Sequence, residues 1–153
     1  MAKMNRNQAL STSFRLDIPG FDEVNYFVQT VELPSITAMG VDTPYQQYGL
    51  NVPSNRIDYE PIDIGFLIDE DYKNYDQIRL WMHAIQMTEP VLTQLKDCTL
   101  HILSSNKGGV AAVKFIGCYP TMLSAIPFES SVVDPTPIVC TMTMRYQLFD
   151  FVR

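Results

Sequence analysis

Between Ile138 and Val152 the chain alternates with a period of two. Ile138, Cys140, Met142, Met144, Tyr146 and Leu148 share one parity, and Thr141, Thr143, Arg145 and Gln147 the other. Side chains of a strand point alternately to opposite faces, so such a run buries one face of a sheet and leaves the other polar. A strand of this kind needs neighbours to pair with and a layer to cover its apolar face. Further strands are predicted around it. Phe14-Arg15-Leu16-Asp17-Ile18 alternates until Pro19-Gly20 stops it, and Val24 to Leu33, rich in β-branched and aromatic residues, reads as a second strand ended by Pro34. Cys98–Leu103 and Val110–Ile116 flank the turn residues Ser104 to Gly109 and read as partners. Gly117 and Pro120 bracket a short irregular piece, Thr121 to Phe128 holds one more short strand, and 130–137 reads as a loop.

Two stretches qualify this pattern. Ile57 to Ile68 is a strand region in which Asp58 and Glu60 share a parity with Ile62, Ile64 and Phe66. One flat strand cannot send both sets into a core, and Pro61 sits where the phase changes, so a bend is expected there. Val41 to Pro53, with Pro44, Tyr45, Tyr48 and Gly49, reads either as a long loop or as an extended hairpin with exposed aromatics. One segment, 71–87, is helical: Tyr75, Ile78, Met82 and Ile85 recur at three- and four-residue steps with Trp81 beside them. Asp71 or Asn74 suits its cap, Asp76 its first turn, and Pro90 follows its end. The expected fold is therefore mainly β, α+β by strict count: a sandwich or barrel with one packed helix, in a single domain spanning 1–153 with 1–13 as a polar N-terminal arm.

A chain of 153 residues with 46% apolar content can bury a core without staples. Its three cysteines are too few and too far apart for a disulfide scaffold, and a reducing cytoplasm during folding fits them. No apolar run approaches the ~20 residues of a membrane helix, and the N-terminus has no apolar core of a secretory signal, so membrane insertion is not expected. The net charge of −6 argues against a dedicated nucleic-acid binder. Asp58, Glu60, Asp63, Asp69, Glu70, Asp71 and Asp76, opposed only by Lys73, carry that whole imbalance; the rest of the chain is neutral. This segment is either a solvated face or a surface that repels phosphate or binds a cation. The consecutive Asp69-Glu70-Asp71 does not match the alternating oxygens of a calcium loop.

Residues for chemistry are missing from the pattern. There is no Gly-x-Ser-x-Gly elbow, and Lys107-Gly108-Gly109 is a hairpin tip rather than a phosphate loop. The two histidines, His83 and His101, pair with no cysteine at finger spacing. Cys118, among apolar neighbours, reads as a packed, inert thiol. No enzyme activity, cofactor or metal is expected.

The run Phe115-Ile116-Gly117-Cys118-Tyr119-Pro120-Thr121-Met122-Leu123-Ser124-Ala125-Ile126-Pro127-Phe128, then a polar loop, then Ile138 to Phe149, resembles the ending of tail tube proteins of contractile-tailed bacteriophages. In that family a Gly-x-x-Pro stretch leads to a short apolar strand, a loop, and a strand of the type Val-Thr-Phe-x-Tyr. The earlier order is similar too: Phe27 to Leu33 closing on Leu-Pro, then Phe66-Leu67-Ile68 before Asp69-Glu70 and the Trp81 helix. The resemblance spans Phe14 to Phe149; Val41 to Pro53 has no counterpart in its pattern.

The resemblance implies a β-barrel-like sandwich with one helix, shared with type VI secretion inner-tube proteins and with the baseplate proteins that initiate a tube. It implies a structural virion protein, assembled in the host cytoplasm, whose homo-hexameric rings stack into the inner tail tube. Its partners would be the sheath, the baseplate and the tail-terminator proteins, with genomic DNA passing through unbound. On that reading Asp58, Glu60 and Asp63 face the channel, Asp69, Glu70 and Asp71 serve the helix N-terminus, and Met4, Arg6, Tyr45 and Tyr48 contact neighbouring subunits or rings. The alternatives are a baseplate tube-initiator or hub of the same fold, or a small non-viral β-domain that binds a cation or ligand at its acidic segment.

Overall fold

A computed structural model describes residues 8–87, 91–106 and 108–152. The strands are β1 (Phe14–Asp17), β2 (Val28–Val31), β3 (Ile36–Tyr45), β4 (Tyr48–Tyr59), β5 (Ile62–Leu67), β6 (Lys96–Leu103), β7 (Gly109–Leu123), β8 (Val139–Arg145) and β9 (Leu148–Val152). The helices are α1 (Asp22–Phe27) and α2 (Lys73–Met87), with a 3-10 turn at Val91–Gln94. The main sheet runs in the order β1-β6-β7-β8-β5-β2, with β9 also on β7, and β3 and β4 pair only with each other. Every pairing is antiparallel. The architecture is mainly β, as the alternation requires.

The core forms where the alternation is cleanest. Ile62 lies opposite Met144, Ile64 opposite Met142 and Phe66 opposite Cys140, and all six are buried. Ile78, Trp81 and Ile85 join the same cluster from α2, while Tyr75 is only partly buried against it. The helix lies over β7, the 3-10 turn and α1. Trp81 Nε1 donates to the Gln94 carbonyl at 2.8 Å, and its ring meets Phe21 at 5.1 Å.

Several expectations are corrected. The run 138–152 is two strands, not one. β8 pairs with β5 and the second half of β7, whereas β9 pairs with the first half of β7. The chain turns between them because Gln147 N donates to the Ile116 carbonyl at 2.9 Å and its side chain covers Gly117. Gly117 is at φ +69, and a Cβ there would lie 3.1 Å from Gln147, so glycine fits both the backbone and the contact. The expected irregular piece at 117–120 is thus part of β7, which runs on to Leu123 and takes in the start of the expected 121–128 strand.

Val24 to Leu33 is not one strand. Its first part is α1, a second helix in a fold expected to have one, and only Val28–Val31 is extended. Asp22 and Glu23 suit a helix's first turn, and Asn25 fixes the helix to β1 by accepting from Ile18 N and donating to Asp17 and the Ile18 carbonyl. Burial of Val24 outweighs the β preference of its neighbours.

The helix α2 begins at Lys73 rather than residue 71. Asp69 Oδ1 accepts from Lys73 N at 2.8 Å, in line with a role for that carboxylate at the helix start. Asn74, fully buried, accepts from Asp69 N and Tyr75 N and donates to the Leu67 carbonyl, tying the helix to the end of β5.

Candidate functional site

The Ile57–Ile68 region breaks where expected, and the break separates two sheets. β4 ends at Tyr59 in the hairpin, and β5 begins at Ile62 in the core. Val41 to Pro53 is the extended-hairpin alternative: β3 and β4 form a ribbon whose residues are nearly all exposed. Directly paired residues share a face, so Val41 with Val52, Thr43 with Leu50, and Tyr45 with Tyr48 make one side mostly apolar. The other side carries Gly40 with Pro53, Asp42 with Asn51 and Pro44 with Gly49. Tyr45 is 62% and Tyr48 78% exposed. A two-stranded ribbon is marginal alone in water, and an exposed apolar face of this kind marks an interaction surface.

The root of the ribbon is anchored. Tyr59 packs its ring at 6.0 Å from Tyr146 and 5.4 Å from Phe149, and both of those meet buried Phe115. Tyr146 donates its hydroxyl to the Glu60 carbonyl at 2.8 Å. Burial, helped by Tyr59, Cys118 and Glu60, holds this phenol neutral, its pKa pushed up to about 12.

Beside this root lies an open concavity of about 560 Å³ bounded by Glu32, Leu33, Pro34, Ser35, Glu60, Pro61, Asp63 and Thr143. Backbone bonds hold its walls: Glu32 N to the Asp63 carbonyl, and Glu60 N to the Ser35 carbonyl. Thr143 Oγ1 donates to Asp63 Oδ1 at 2.7 Å. Among the described residues three carboxylates line it and no lysine or arginine does. The structure brings Glu60 and Asp63 together but leaves Asp58 on the ribbon, paired with Arg56 at 2.8 Å. Glu32 is the member that sequence reasoning missed; it lies outside the acidic segment and reaches the site only through β2–β5 pairing. Among the described residues no group of three His, Cys, Asp or Glu is placed to hold a metal ion. The arrangement offers an electronegative surface to whatever passes over it. Met4 and Arg6 lie outside the described residues. No helix among the described residues is long and apolar enough to cross a membrane.

A model of the phage tail tube protein family matches residues 1–151. The chain belongs to that family. Its sequence is 27% identical over 160 residues to the tail tube terminator protein of Enterobacteria phage T4, covering 94% of this chain and 88% of that one. Two solved structures share the fold: the anti-feeding prophage baseplate (TM-score 0.73, 12% identity, 97% of each chain) and the sheath/tube terminator of the PVC extracellular contractile injection system (TM-score 0.70, 13% identity, 97% and 99%). As a phage tail tube family member the chain is a structural component of a contractile-type virion tail, not an enzyme. The family resemblance read from 115–149 is correct, although the strands there divide differently: β7 runs unbroken to Leu123 and the terminal run splits into β8 and β9.

Proposed function

We propose that this tail tube family member closes the tube: that it forms a homo-hexameric ring of tube-like subunits seated on the last ring of the tube, through which genomic DNA passes. The observation that carries this reading is the sequence match to a tail tube terminator along nearly the whole of both chains. On this reading the chain assembles in the host cytoplasm as one domain and meets tube and sheath proteins. The apolar side of the β3–β4 ribbon, with Tyr45 and Tyr48, lies against a neighbouring subunit or ring. Glu32, Glu60 and Asp63 face the channel, with Asp58 farther out on the ribbon. A conduit should not hold its cargo: each phosphate neutralised by a lysine or arginine adds affinity through counterion release, which a carboxylate-lined bore avoids.

Mixing the purified protein with growing tubes of the cognate tube subunit tests the proposal. A terminator stops elongation when present in far less than equimolar amount, and tube length falls as its concentration rises. Copolymerisation along the tube would contradict it and favour an ordinary tube subunit. Faster nucleation without a length limit would favour a baseplate initiator; a chain of the anti-feeding prophage baseplate has the same fold.

A further inference from the structure

The loop that joins β7 to β8 keeps its apolar side chains out of the core. Phe128 is 75%, Val132 51% and Val133 93% exposed. Phe128 and Val132, with Pro135 and Pro137, border an open concavity of about 470 Å³. The loop is tied to the body at both ends: Ser124 N donates to the Thr141 carbonyl at 2.9 Å, and Ile68 N to the Ile138 carbonyl at 3.0 Å. The Phe128 ring meets Tyr72 at 6.4 Å. Tyr72 makes this contact from φ +57, a backbone position that bulky side chains rarely adopt. Pro127, Pro135 and Pro137 fix further φ angles, so less chain freedom is lost when a partner binds.

Carboxylates surround these apolar groups. Glu129 lines the concavity, Asp134 follows Val133, and the turn that ends in Tyr72 carries Asp69, Glu70 and Asp71. Lys73 is the one cation within residues 69–73 and 127–139, and it already pairs with Asp71 at 3.4 Å. A second copy of this chain does not match that rim. Arg56, Lys73, Arg79 and Lys114 each pair with a carboxylate of their own copy, and Lys96 sits over the Phe21 ring at 5.4 Å. Among the described residues that leaves Arg15 on β1 and Arg145 on β8, with two strands between them in the sheet.

We propose that the 127–139 loop and the 69–72 turn form a docking surface for a different protein, whose segment presents an apolar side chain between lysines or arginines. The apolar side chain fills the concavity against Phe128 and Val132, and its burial supplies the affinity. The flanking cations meet Glu70, Glu129 and Asp134, which select the partner and speed the encounter. The surface is separate from the ribbon and from the Glu32–Glu60–Asp63 concavity, and it applies wherever in the tail the chain sits.

Photo-crosslinking in intact tails tests the proposal. Val133→p-benzoylphenylalanine puts a photoreactive ring on the surface, and Ser130→p-benzoylphenylalanine does so just outside the concavity if bulk at 133 blocks assembly. Irradiated tails are digested and the linked peptides sequenced by mass spectrometry. Expected is a link to a different protein, at or beside an apolar residue with lysine or arginine within three positions. That segment, made as a synthetic peptide, should bind the full wild-type chain and lose roughly fivefold or more in affinity to the Glu70→Gln, Glu129→Gln, Asp134→Asn variant. A link to another copy of this chain, a link to an acidic or wholly polar segment, no link from assembled tails, or equal peptide affinity for the triple variant would overturn the proposal.

Discussion

At the residue scale, a few polar atoms join parts of the chain that its apolar pattern alone does not connect. Tyr146 is one: its hydroxyl fixes the carbonyl of Glu60, 86 residues earlier, and so the angle at which the ribbon leaves the body. Tyr146→Phe should cost about 1 kcal/mol, the usual net value of a neutral hydrogen bond, measured by urea unfolding near neutral pH. The pH dependence follows from the raised phenol. Its contribution is fully present below the ordinary tyrosine value of about 10 and is lost as pH rises through about 12, because above that value the folded state must bury a phenolate. The difference in stability between wild type and Tyr146→Phe should shrink or reverse across that window; a constant difference would mean that the phenol is not held neutral. Asn74 joins β5 to α2 in a similar way. The sequence offered it as a helix cap, but its bond to the Leu67 carbonyl depends on a packing that no local pattern encodes.

At the element scale, legibility followed the strength of the period. The core of the terminal run was readable because Cys140, Met142 and Met144 alternate against buried partners on β5. Its division after Arg145 was not, because Tyr146 and Leu148 continue the parity while pairing obeys Gly117 and Gln147 on another strand's side. Similarly, α1 is too short for a helical period to show, and its aromatic and β-branched residues mimic a strand. Pro61 marked the break between the ribbon and β5, since the phase change on either side of it was visible in the carboxylates. The acidic concavity was half legible: Glu60 and Asp63 are neighbours in sequence, whereas Glu32 arrives by strand pairing. The ribbon itself carries a prediction. Tyr45→Ser with Tyr48→Ser removes exposed rings and should change monomer stability by less than about 0.5 kcal/mol, while abolishing higher-order assembly seen by sedimentation. Intact assembly in the double variant would remove the ribbon face from the interface.

At the scale of the whole molecule, the surface keeps apolar side chains in the open. Apolar side chains at Tyr45, Tyr48, Phe128, Val132, Val133 and Val152 stand exposed on several elements, and edge strands such as β9 and the ribbon offer unpaired backbone. A ring of identical copies would bury some of these patches by heterologous contacts that close on themselves. Charge reversal tests the orientation of each copy in the proposed ring. Changing Glu32, Glu60 and Asp63 together to lysine should leave rings intact but slow DNA release from assembled particles at low salt, with normal rates restored as salt rises. Release at the normal rate in low salt would move the concavity to the outer surface. Cryo-electron microscopy of intact tails carrying a tagged copy reads the position of this chain in the tail directly. A chain that closes the tube gives one ring of tag density, at the tube end away from the baseplate. Density repeated along the tube, or confined to the baseplate, would contradict it.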